Sequence, residues 1–204
     1  MRRSLAARAG VGALLLALTG CASGAPGDSV GHEAMSSAQV EALAAQERDA
    51  GHGEQAAFLE DGVVTFEEYD ASFVLYARCL TDRGLTVEGP QISPVDGVRY
   101  QSTADIGTHE RTAALADIDE CEAVYRTSVA QAYELSQPQV MDAPLAEAAA
   151  ECLRGKGLAV TGEETDVADF VDSVGESESE EAVDCVLSEA TRLYPEMTSL
   201  SVGY

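Results

Sequence analysis

The chain has 204 residues, with 36 Asp and Glu against 12 Lys and Arg, a formal net charge of −24 and no tryptophan. So acidic a surface repels phosphate backbones and anionic headgroups, which excludes nucleic acid as a partner and disfavours a domain lying flat on an anionic bilayer. The plain reading of the charge is a solvated, soluble surface, and the sharper alternative is loose capture of cations or of a basic partner.

In chain order, Arg2, Arg3 and Arg8 lead into the apolar run from Val11 to Leu18, which is followed by small residues. An apolar core that short cannot cross a hydrocarbon layer of about 30 Å, so residues 1–20 read as a cleaved export signal. Its end, Leu18-Thr19-Gly20-Cys21, resembles the lipobox of bacterial lipoproteins. The resemblance implies that the signal is cut before Cys21 and that Cys21, diacylated on sulfur, becomes the N-terminus. The alternative is an ordinary secretory signal that ends near a cysteine. Each buried methylene contributes about 0.8 kcal/mol, so two or three acyl chains hold a protein firmly on the membrane where one is marginal. The expected location is the extracytoplasmic face of the cell membrane, with the lipid anchor as the membrane contact. Removing the three arginines of residues 1–20 takes the charge from −24 to −27.

Residues 21–36 comprise the lipidated cysteine and a Gly- and Ser-rich flexible tether. A first unit over 37–138 begins with a helix from Ser37 to about Ala50, with Val40, Leu43 and Ala44 on one face, and a short helix from Glu54 to Leu59. Phe66, Tyr69, Phe73, Tyr76 and Leu80 recur at spacings of three and four and predict a third helix, stopped at Gly84. Leu85–Glu88 and Val98–Thr103 alternate as strands about the turn residues Pro94 to Gly97, predicting an antiparallel hairpin. A long helix from Thr112 to Ser136 follows, with Leu115, Ile118, Cys121, Tyr125, Val129 and Ala132 as its buried stripe. The second, smaller unit over 139–204 predicts a helix to Arg154 capped by Asp142, an extended Leu158–Val160, a helix from Asp166 to Val174 and a last helix from Glu178 to Tyr194.

Apart from Cys21, the cysteines are Cys79, Cys121, Cys152 and Cys185. In an exported chain four cysteines read as two disulfides, and without a Cys-x-x-Cys pair zinc is the weaker use. The segment from Cys79 to Gly89 (CLTDRGLTVEG) and that from Cys152 to Gly162 (CLRGKGLAVTG) share six identities in eleven ungapped positions. Each copy has one cysteine in this signature and one in a later helix, which predicts Cys79 with Cys121 and Cys152 with Cys185. The predicted fold is therefore α+β and mainly helical, with one small β-hairpin and two related disulfide-stapled halves, 37–204 forming one compact domain.

The stretch from Glu60 to Tyr69, EDGVVTFEEY, looks like the second half of an EF-hand loop. With Gly62 at loop position 6, Ala57 and Leu59 fall at positions 1 and 3, where Ca2+ needs oxygen ligands. The preferred reading is a turn at Asp61-Gly62 and a capping box of Thr65 and Glu68; no metal site or cofactor is assigned. His32, His52 and His109 lie in the tether or in predicted loops, away from any nucleophile motif. Acid pairs such as Glu67 with Glu68 and Asp117 with Glu120 are unavoidable among 36 acids, and Glu176 to Glu181 is a solvated run placing charge at a helix N-terminus. Tyr69, Tyr76, Tyr125 and Tyr133 have core spacing; Tyr100 is the best candidate for an exposed contact, though packing is the preferred reading there too. No catalytic residue is assigned.

With Asp61 to Tyr69 as Asp-Gly-x-Val-Thr-x-x-Glu-Tyr and Cys79 to Gly84 as Cys-Leu-x-x-x-Gly, the chain resembles predicted lipoproteins of actinobacteria in which a lipobox and tether precede a small helical domain. That resemblance implies an envelope location and carries over no catalytic residue. The function expected is a non-enzymatic module that binds or scaffolds an unknown protein or envelope partner. The alternatives are an envelope hydrolase built from scattered carboxylates and a weak cation binder.

Overall fold

A computed structural model describes residues 34–197 together with Leu200 and Val202. The signal over 1–20, Cys21 and His32 lie outside the described residues. The fold is α+β and mainly helical. Helices α1 (Ser37–Ala50), α2 (Gly53–Phe58) and α3 (Phe66–Asp82) are followed by the hairpin β1 (Thr86–Ile92) and β2 (Tyr100–Asp105). Then come α4 (Arg111–Tyr125), α5 (Thr127–Glu134), α6 (Ala143–Gly155), α7 (Val167–Val174) and α8 (Ser179–Leu193), the last preceded by a 3-10 turn at Glu176–Glu178.

Helix starts follow local chemistry. Ser36 and Gln39 form a capping box on α1, and Thr65 and Glu68 form another on α3, with the Glu68 carboxylate accepting from the Thr65 N–H at 2.8 Å. Asp61 and Gly62 make the turn before α3: Asp61 Oδ1 accepts from the Val63 N–H at 3.1 Å. Gly62 has φ +78°, and a Cβ there would lie 2.9 Å from Cβ of Ser37. The EDGVVTFEEY stretch thus starts α3 and seats it against the first turn of α1.

The repeated signature is a repeated structure. Both copies end a helix with a buried leucine, Leu80 and Leu153, and turn at a glycine of nearly equal φ, +81° at Gly84 and +83° at Gly157. In both, the next leucine returns its N–H to the first, Leu85 to Leu80 and Leu158 to Leu153, each at 3.0 Å. Disulfides join Cys79 to Cys121 on α4 and Cys152 to Cys185 on α8, with Cα–Cα distances of 5.8 Å in both. The correspondence extends to charge. The basic residue four after the first cysteine meets the acid four before the second: Arg83 contacts Asp117 and Lys156 contacts Glu181.

Each half has its own apolar cluster, one built on Tyr69, Phe73, Leu80 and Cys121, the other on Leu145, Leu153, Phe170 and Cys185. The tip of the hairpin joins them. Val95, which lies between β1 and β2, is 2 % exposed and packs in the second cluster. Around it the Val140 N–H donates to the Asp96 carbonyl at 2.9 Å and the Asp142 N–H to the Pro94 carbonyl at 2.8 Å.

Three local expectations change. The long helix breaks at Arg126 (φ −133°) into α4 and α5. Ala114 takes the buried position and Leu115 is 44 % exposed. Asp142 makes no side-chain cap on α6; its carboxylate accepts from the Tyr194 hydroxyl instead. As expected, Leu158 to Val160 lies outside any helix and pairs with no strand among the described residues, and α7 stands where the first half has its hairpin. No described helix is long and apolar enough to cross a membrane.

Loops of 42 and 33 residues are closed by the two disulfides, and the chain-entropy estimate gives each about 4 kcal/mol. Replacing either pair by alanine should lower the unfolding free energy by about that amount in urea titrations. Gly97 combines φ +69° with a carbonyl, that of Val140, only 2.6 Å from any added Cβ. Gly97→Ala should therefore cost about 2 kcal/mol or more, whereas Gly107→Ala, at φ +52° with open space around it, should cost only about 1 kcal/mol; thermal melts compare the two.

Candidate functional site

The break between α4 and α5 is held open by one buried side chain. Gln55 of α2 is fully buried; its Oε1 accepts from the Ser128 N–H at 2.6 Å, and its Nε2 donates to the Ala123 carbonyl at 2.9 Å. One amide thus caps the start of α5 and the end of α4. Glu47 of α1 supports it, accepting from the Ser128 hydroxyl at 2.5 Å and bonding His52 at 2.6 Å.

Breaking the helix there turns Arg126 inward. Its guanidinium lies over the rings of Phe73 and Tyr76, 5.5 and 5.9 Å from their centroids, and pairs with Glu122 at 3.4 Å. Its Nε is buried with no hydrogen-bond partner. Beside it, Tyr69 stacks on Tyr133 with centroids 4.5 Å apart and lies 4.7 Å from Tyr100. The Tyr69 hydroxyl donates to Glu134 at 2.9 Å and accepts from the Tyr100 N–H at 2.7 Å. The other oxygen of Glu134 pairs with Arg99 at 3.2 Å, and the Tyr100 hydroxyl donates to Asp70 at 2.8 Å.

Between β2 and α5 this arrangement leaves an open groove of about 440 Å3. Arg99, Gln101, Arg126, Thr127, Gln131 and Glu134 are among its lining residues. Gln101 Nε2 is a second buried donor with no partner. Burial, followed by the bond to Asp70, pushes the Tyr100 phenol up to about 12; burial, followed by the Glu122 charge, does the same to Tyr76. These phenols stay protonated near neutrality and act as hydrogen-bonding groups rather than as bases.

A second groove of about 460 Å3 runs between α6 and the loop at residues 162–165. There Glu164, 7 % exposed, accepts from Thr161, Gly162 and Ser173 at 2.7 to 2.9 Å. Burial alone would raise its pKa, but the bonds from Ser173 and Thr161 outweigh it and hold the carboxyl at about 2. Glu110, an exposed acid, is likewise held below the usual carboxylate range, mainly by the N–H groups of Thr112 and Ala113 that it caps.

Of the residues singled out in the sequence, the four cysteines form the two staples, and none of them lines the β2–α5 groove. Tyr100 is packed, not exposed: its ring joins the aromatic cluster and 9 % of it reaches solvent. His52 is tied to Glu47 and His109 to the Gly84 carbonyl. Glu68 caps α3, and Asp117 and Glu120 both pair with Arg83. The groove itself was not found in the sequence. Its one signal there is that Arg99 and Arg126 are two of only nine basic residues after residue 20. Comparison with protein-family models, with curated proteins and with solved structures returned no match.

Glu164→Gln should destabilise by about 2 kcal/mol, since it removes a charged acceptor from buried donors. Its pKa falls on folding from 4.5 to about 2, so the ionised group's contribution is full above the unfolded value and is lost as pH falls toward the folded one. The gap between wild type and variant in urea titrations should be constant above about pH 5 and shrink between about pH 4.5 and 2.

Proposed function

We infer that this chain is a lipid-anchored extracytoplasmic lipoprotein of the actinobacterial type, a non-enzymatic module that binds a partner at the cell envelope through the groove between β2 and α5. The observation that carries the binding reading is that groove, open to solvent, with two buried, unpartnered donors on residues lining it. Buried donors without partners are few in folded proteins, and a ligand's acceptors are one way of satisfying them. The envelope location rests on the sequence before Cys21 and agrees with two disulfides, which persist in oxidising compartments.

A hydrolase built from scattered acids needs one carboxyl kept protonated near neutral pH. Glu164, a buried carboxyl at the second groove, is displaced in the opposite direction, so it does not supply that acid. Proximity labelling from the intact lipoprotein in its native envelope identifies the partner class. Cys21→Ala should move the protein from the membrane to the soluble fraction and abolish incorporation of labelled palmitate. Unchanged membrane retention and labelling would reject the anchor.

A further inference from the structure

We propose that the groove between β2 and α5 binds a neutral, hydroxyl-rich ligand, a glycan chain. This rests on the binding role assigned to that groove above. The first argument is charge. The chain carries −27 after residue 20, which opposes a polyanion, while the Glu134 carboxylate in the groove wall is already paired with Arg99, and Arg126 with Glu122, which leaves a cation no free carboxylate there. Arg99 and Glu134 pair at 3.2 Å across the same wall. A ligand without net charge meets neither obstacle.

The second argument is the kind of hydrogen-bonding group present. Gln101, Gln131 and Gln139 each bring a carboxamide, with one acceptor and two donors, and Thr127 brings a hydroxyl. Neighbouring hydroxyls on a sugar ring offer donors and acceptors at matching separation, so planar amide and guanidinium groups can engage them in pairs. Gln101 Nε2 is buried and unpartnered, and a hydroxyl oxygen supplies what it lacks. A peptide strand added to β2 would instead need main-chain donors along that strand's free edge. At the groove the Tyr100 N–H is already bound to the Tyr69 hydroxyl at 2.7 Å, which favours side-chain recognition of a glycan.

The test is calorimetry on the full lipidated protein in nanodiscs. The probes are cellotetraose, maltotetraose, mannotetraose and chitotetraose, alongside tetra-alanine, polyglutamate and pentalysine. At least one neutral tetrasaccharide should bind with a Kd of about 10−4 M. The variant Gln131→Ala/Gln139→Ala should weaken it about tenfold or more with no change in melting temperature. The proposal is overturned if no tetrasaccharide binds up to about 10 mM, if the double variant binds as well as wild type, or if a peptide or charged probe binds more tightly than every saccharide. Membrane retention through Cys21 is read separately, and a captured protein partner that still needs Gln131 and Gln139 would keep the groove's binding role while rejecting the glycan.

Discussion

Each half of the molecule depends on a cystine that ties the last turn of one helix to a second helix packed beside it. The helix end is where an α-helix frays, because its last carbonyls have no partner of their own. Here that weak point is closed three times over: by the disulfide, by the glycine turn whose next N–H returns to the helix, and by the basic residue reaching an acid one turn before the second cysteine. The ion pair counts least, since such pairs near solvent contribute under about 1 kcal/mol. The fixed helix end then sets the direction in which the chain leaves. In the first half it leaves as β1 and in the second as the loop before α7.

The same scaffold accommodates different insertions with different consequences. The hairpin of the first half reaches beyond its own core and delivers Val95 to the other. Its second strand, with α5, also forms the walls of the groove. Fold and site are therefore linked through β2. The Tyr69 hydroxyl holds β2 and α5 together at one point, bonding the Tyr100 N–H on one and the Glu134 carboxylate on the other. Removing that hydroxyl would leave the Tyr100 N–H unsatisfied in a largely buried place and take one partner from Glu134, which keeps Arg99; an unsatisfied buried donor costs more than the bond's own net contribution.

Local chemistry was legible in the sequence where it is written in neighbouring residues. Thr65 and Glu68, Asp61 and Gly62, the two Cys-Leu turns and the strand alternation all act within a few positions, and the duplicated signature carried the cystine pairing. What was not legible depends on partners far apart in the chain. The helix break at Arg126 is imposed by Gln55, 73 positions before the Ser128 N–H that it caps; nothing in the period of α4 and α5 announces it. Within α4 itself the buried stripe runs through Ala114 and Cys121, seven positions apart, and Leu115 faces outward. The groove followed from that break, and periodicity alone could not place Arg126 over Phe73 and Tyr76.

The two cystines also define how the protein would answer a pull on its ends. They take 42 and 33 residues out of the extensible contour, about 260 Å at roughly 3.5 Å per residue. Both β-strands and α7 lie inside these closed loops, so tension applied at the termini bypasses them. The load passes instead along the chain before Cys79 and after Cys185 and along the segment between Cys121 and Cys152, which contains α5 and the main-chain bonds from residues 140 and 142 to the hairpin tip. Under such a load the halves would part at that seam while each remained stapled.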